Sequence, residues 1–208
     1  ELREAAQTLN KAQQIWPNDA RVFMFAGLMA EKSGNIPAAF DALRRCVALD
    51  PKWTPGELQL ALLYARRGMY DKAIMHAERL AKREPNNALV LGHLVDFAHA
   101  TGNLEMSIRE LRRGLTFAPN DVQMRRVLAN DLQVSGKRAE ALEIWDALLA
   151  EDPKNEAALL GRATTLIEGG KPSAATGNTT TLLEMFPGNT VYAYFNAIAH
   201  GVTPDHQP

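Results

Sequence analysis

The sequence predicts an all-α solenoid, a row of antiparallel helix pairs each built on the same length of chain. Three observations predict it. Prolines stand at Pro17, Pro51, Pro85, Pro119, Pro153 and Pro187, each step being 34 residues. Glycines stand at Gly34, Gly68, Gly102, Gly136 and Gly170 on the same step. The chain holds only 11 prolines and 14 glycines, so two registers this strict are a repeat, and a period of this length marks stacked units. Between them runs one apolar stripe at helical spacing.

The elements follow in order. Residues 1–19 end at Pro17 with Ala5, Leu9 and Ala12 in register, and read as the second helix of a partial pair. Each later proline closes an amphipathic stretch: VALDP, LAKREP, LTFAP, LLAEDP and LLEMFP. Proline stops a helix there because it lacks the next amide donor and clashes with the previous turn. Helix-starting residues follow at once, Asn18-Asp19, Asn86-Asn87, Asn120-Asp121 and Asn155. Their side chains can accept hydrogen bonds from the first free amides of the next helix. Each periodic glycine falls mid-unit, where a helix ends in a left-handed residue before the chain reverses. Every unit is therefore helix, tight turn, helix, loop.

The second helices share a small residue at one position: Ala39, Ala73, Ser107, Ala141 and Ala175. It lets two axes approach toward the short end of the ~8–10 Å packing range. Large apolar residues flank it, among them Phe40 and Leu43, Ile74 and Leu80, Ile108 and Leu111, and Leu142 and Trp145. Such a stripe is core. The fifth unit departs, because KPSAATGNTTTLLEMF carries Gly177 and three consecutive threonines. The glycine alone costs up to about 1 kcal/mol, so a short, frayed or shifted helix is predicted at 172–181. Residues 190–200, TVYAYFNAIAH, read as one more first helix, which makes twelve helices.

Composition narrows the function. Charged residues are 23%, with 23 basic against 24 acidic and a formal net charge of −1. That balance gives no pull toward nucleic acid or an anionic membrane. No run of about 18 apolar residues exists, so no membrane span is expected. The single cysteine, Cys46, excludes an internal disulfide and a cysteine-based zinc cluster. It fits the cytosol, and a periplasmic solenoid has the same composition. The chain opens on Glu1 without a basic region and apolar stretch behind it, and reads as a piece of a longer protein.

A 34-residue helix-turn-helix unit with a mid-unit glycine, a small residue five later and a terminal proline resembles the tetratricopeptide repeat family. The resemblance covers five repeats, 20–53, 54–87, 88–121, 122–155 and 156–189, with a partial repeat at 1–19 and another at 190–208. The family's aromatic fourth residue is kept as Phe23, and replaced by Glu57, Leu91, Arg125 and Leu159. The family implies a right-handed superhelical solenoid whose first helices line a concave groove. It implies a protein-interaction scaffold holding a partner peptide or helix there. Carried over by position, the groove residues are Met24, Phe25 and Leu28; Leu58, Gln59 and Leu62; His93 and Asp96; and Arg126 and Asn130. The groove then has an apolar N-terminal part and a polar middle. Chaperone-binding members grip a terminal carboxylate with basic and Asn side chains from successive repeats. Arg126 and Asn130 match one such pair, but Leu160 and Thr164 follow, so that clamp is incomplete.

No catalytic constellation is legible, no cofactor is implied and no metal site is expected. His93 and His99 are six apart in HLVDFAH and diverge by about 120° around a helix axis. No phosphate loop, dinucleotide turn or nucleophile elbow occurs. The stretch LLEMFPGNTVYAYFNAIAHGVTPDHQP is similar to the junction in bacterial proteins where such repeats precede a methyltransferase domain. That gives a second expectation, the substrate-recruiting part of a larger transferase whose catalytic domain lies outside this chain. A third is a homodimer through the apolar residues at the two ends, Leu2, Leu9, Tyr194 and Phe195.

Overall fold

A computed structural model describes residues 2–202, giving the backbone alone for residues 2, 3, 5 and 6. Among the described residues are twelve α-helices and one 3-10 turn, and no strand. The chain divides into two compact units, 1–102 and 103–208. The division falls inside the third repeat, between its two helices.

The first unit holds α1 (Leu2–Ile15), α2 (Ala20–Lys32), α3 (Ile36–Leu49), α4 (Thr54–Arg66), α5 (Tyr70–Arg83) and α6 (Ala88–Thr101). Its core joins Leu43 of α3, Leu58, Leu60 and Leu63 of α4, Leu80 of α5, and Val90 and Leu94 of α6. The second unit holds α7 (Leu104–Phe117), α8 (Val122–Val134), α9 (Arg138–Glu151), α10 (Glu156–Glu168), α11 (Thr176–Met185) and α12 (Thr190–Ala199). Trp145 and Leu148 of α9 are buried there, as are Leu159 of α10, Leu182 of α11 and Tyr192 of α12.

The local signals act where the sequence places them. All five mid-repeat glycines are left-handed, with φ between 69° and 81°. At Gly136 the next amide, of Lys137, reaches back to Leu132 O at 2.8 Å and closes the helix end. Asp19, Asn87, Asp121 and Asn155 each accept a bond from an amide of the helix they open. The five small residues of the second helices, Ala39, Ala73, Ser107, Ala141 and Ala175, are all buried. The weak stretch of the fifth repeat begins as a 3-10 turn, Pro172–Ala175, and α11 runs only ten residues. Thr179 and Thr181 bond back to the carbonyls of Ala175 and Gly177, competing with the helix they sit in.

At the C-terminal end Tyr192 is buried, its hydroxyl donating to Glu156 and its ring 5.7 Å from Phe186, so it belongs to the core. Leu9 and Phe195 are half-buried and Tyr194 is exposed. The side chain of Leu2 and residues 203–208 of the tail lie outside the described residues.

Candidate partner-binding site

In the first unit the expected groove residues separate. Leu58 is 5% exposed and sits in the core cluster with Leu43, Val90 and Leu94. It is corrected to a core residue, because it is buried in the apolar cluster to which α3, α4, α5 and α6 all contribute. Met24 and Leu62 pack half-buried against the same cluster, and Leu28 and Gln59 are half-buried too. Phe25 remains 55% exposed but turns away from Leu58. With Thr8, Leu9, Ala12, Val22 and Met29 it lines a slot of about 400 Å³ between α1 and α2. Met24 and Phe25 are sequence neighbours, so about 100° of helix rotation sends them to different surroundings.

Polar groups bind the first-helix faces. Glu31 of α2 takes Arg66 of α4 in a two-pronged pair at 2.7 and 2.6 Å, with Arg67 at 3.7 Å. On α6, His93 Nδ1 lies 3.5 Å from Asp96 Oδ2, and the imidazole stacks over Phe97. Asp96 is exposed, and Gly92 leaves open space one residue before His93.

In the second unit, two adjacent arginines have different fates. Arg125 is bound to Glu151 through both guanidinium nitrogens, at 2.7 and 2.8 Å. That pairing holds the Glu151 carboxyl below the usual carboxylate range and raises Arg125. Arg126 is half-buried, its Nε is buried without a hydrogen-bond partner, and it makes no ion pair with any described residue. Asn130, four residues on and so on the same helical face, is exposed. Gln133 completes that face by accepting the Thr165 hydroxyl at 2.7 Å and donating to Glu168 at 3.0 Å, which ties α8 to α10.

Sequence reasoning missed the two roles hidden in the departures from the aromatic fourth position. Glu57 is fully buried and meets His76 at 3.2 Å, Arg83 at 3.3 Å, and Arg79. Arg125 meets Glu151. A charged residue on an otherwise apolar stripe was the available signal. Among the described residues no group of three or more His, Cys, Asp or Glu is arranged to hold a metal ion, and no helix is long and apolar enough to cross a membrane.

The tetratricopeptide repeat family matches residues 64–130 and again 126–176. U-box domain-containing protein 70 of Oryza sativa subsp. japonica is 30% identical over 145 residues, 68% of this chain and 17% of that protein. Hsp70-Hsp90 organizing protein of Triticum aestivum is 24% identical over 132 residues, 62% of this chain and 23% of that protein. The chain thus spans only 17% and 23% of the length of these two relatives. Among solved structures, YrrB, a TPR protein with an unusual peptide-binding site, superposes with a TM-score of 0.69 at 18% identity, covering 89% of this chain and 96% of that one. A tetratricopeptide repeat protein from Parabacteroides merdae gives 0.71 at 14% identity, over 88% and 73% of the two chains. The Naa15/Naa10 assembly bound to HypK-THB gives 0.71 at 18% identity, over 97% of this chain and 32% of that one. At these identities the structural likeness is one of fold. The 34-residue beat, the glycine-closed turns and the family matches agree, and the chain is a tetratricopeptide repeat protein.

Proposed function

We propose that this chain is a protein-interaction scaffold and that the exposed face of α8 takes a carboxylate of a partner peptide through Arg126. The observation that carries the reading is the state of that guanidinium. It is half-buried, with no acid to pair it among the described residues, while its neighbour Arg125 has one. A partly desolvated cation gains most from a carboxylate, because charge-assisted hydrogen bonds are about twice as strong as neutral ones. Asn130 offers an amide donor on the same face. Leu160 and Thr164 stand at the corresponding places of α10, so the site offers one cationic contact per carboxylate. The relatives lend support at the level of partner class. One is named for organizing Hsp70 and Hsp90, and one solved structure is described by its peptide-binding site.

The test uses the full chain and fluorescent pentapeptides made in two forms, with a free C-terminal carboxylate and with an amide. The free acids should bind and the amides should bind about tenfold more weakly, as befits the loss of one charged hydrogen bond worth about 1.5–3 kcal/mol. Arg126→Ala should remove the difference between the two forms, and Arg126→Lys should keep part of it. Equal binding of acids and amides, with circular dichroism unchanged in the variants, would sink the assignment.

A further inference from the structure

A cavity of about 680 Å³ opens in the first unit where the α1–α2 loop meets the α3–α4 loop. Two indoles, Trp16 and Trp53, line it together with Asp19, Asp50, Ile15 and Leu49. It belongs to the first unit and shares no residue with the carboxylate site.

Trp53 departs from the pattern of its own position. Asp19, Asn87, Asp121, Asn155 and Asn189 stand at the same place in the other repeats, and each caps its first helix with a side-chain oxygen. Trp53 makes no side-chain cap to α4, and a lost cap costs about 1 kcal/mol. Gly56 sits beneath the ring. A Cβ there would stand 3.0 Å from Trp53 Cε3 and 2.5 Å from the Cys46 sulfur. The glycine therefore lets the indole lie against the start of α4. The sequence gives up a cap and places an aromatic ring at the cavity wall.

The charge of the lining points to the ligand. Asp19 is already bound to Arg21, whose guanidinium reaches both carboxylate oxygens at 3.0 and 2.6 Å, and Arg21 also lines the cavity. That pair is neutral. Asp50 accepts the Lys52 amide at 3.1 Å and has no cation within ion-pair distance among the described residues. One uncompensated negative charge thus stands beside two indoles, the aromatic rings that attract cations most strongly. Ile15 and Leu49 add apolar wall for an aliphatic stem.

We propose that this cavity binds a lysine or arginine side chain presented by a partner polypeptide, its cationic head on Asp50 and its stem between Trp16 and Trp53. The chain itself supplies the reporter. It has three tryptophans, and Trp145 is only 1% exposed, so a change in the emission of the other two indoles reads the cavity. The probes are pentapeptides of glycine with one central lysine, arginine, norleucine or glutamate, blocked at both termini so that no carboxylate engages Arg126. Lysine and arginine peptides should shift the emission saturably, and norleucine and glutamate peptides should not. Asp50→Asn should weaken binding about tenfold, or 1.4 kcal/mol. Trp53→Asn, which restores the cap and so keeps α4 folded, should abolish it, and Arg126→Ala should leave it unchanged. Norleucine binding as tightly as lysine, an unaffected Asp50→Asn, or no saturable shift would each overturn the proposal.

Discussion

Arg125 and Glu151 pair across α8 and α9 at the repeat positions that Glu57 and Arg83 occupy in α4 and α5, with the charges exchanged. In the first and fifth repeats the same two positions are apolar, Phe23 with Leu49 and Leu159 with Met185. The second and fourth repeats thus carry opposite charge keys between their first and second helices. Setting α4 against α9 would bring Glu57 to Glu151, two like charges with one of them fully buried. Breaking a buried pair by removing one partner costs about 3–5 kcal/mol, so a mismatch of this kind is strongly disfavoured.

The key can be turned. Glu151→Arg should place two guanidinium groups together and lower the urea midpoint of the second unit, by less than a buried pair would because the Glu151 side chain is 55% exposed. Adding Arg125→Glu reproduces the Glu57–Arg83 polarity and should recover at least half of that loss. Urea midpoints for the two single variants and the double variant give the coupling. Additive effects would show that the two positions do not read each other.

Gly161 of α10 packs against the buried indole of Trp145 in α9. A Cβ at residue 161 would stand 2.6 Å from Cε2 and 2.8 Å from Cη2. Helix propensity favours alanine there by about 1 kcal/mol. Overpacking a rigid, enclosed ring costs about 1–3 kcal/mol and should win. Gly161→Ala is expected to lower the thermal midpoint and to shift Trp145 emission. A raised midpoint would mean that the two helices separate at little cost.

Two other glycines should respond in opposite senses. Gly170 closes α10 at φ 74°, a conformation that costs an L side chain about 1–2 kcal/mol, so Gly170→Ala should destabilise by that amount. Gly177 lies in α11 with nothing within 4 Å of an added Cβ. Gly177→Ala should stabilise by about 0.5–1 kcal/mol. Paired denaturation curves would check the sign of each.

Glu84 links two helix starts, accepting the Thr54 hydroxyl and the Asn87 amide, the latter at 2.7 Å. Those bonds, Thr54 first, hold its carboxyl below the ordinary value of 4.5. A depressed folded-state value contributes stability above the ordinary one and loses it as pH falls through the folded one. The stability gap between the native chain and Glu84→Gln should therefore be present at neutral pH and close in acid below 4.5. A gap that is constant with pH would show that the charge of Glu84 contributes nothing.

Much of this was legible along the chain because the signals are local. Gly102 must be left-handed where the chain reverses, and Asn87 must cap α6, whatever packs around them. A short helix in the fifth repeat was legible for the same reason, since Gly177 and the threonines weaken that helix from within. The candidate site was legible only in part. Leu58 and Phe25 share an apolar character, and sequence alone gave both the same role. One is buried in the core cluster of the first unit, and the other faces the slot beside α1.

The sequence by itself determined the beat of the helices, their starts and stops, the buried small residues and the family, because each depends on residues within one repeat. Tertiary structure decided which of two neighbouring residues is consumed and which is left available. Arg125 meets Glu151 and Arg126 meets no acid among the described residues, although they are adjacent in the chain. About 100° of helix rotation separates them, and the acid that answers Arg125 lies on another helix, 26 residues away.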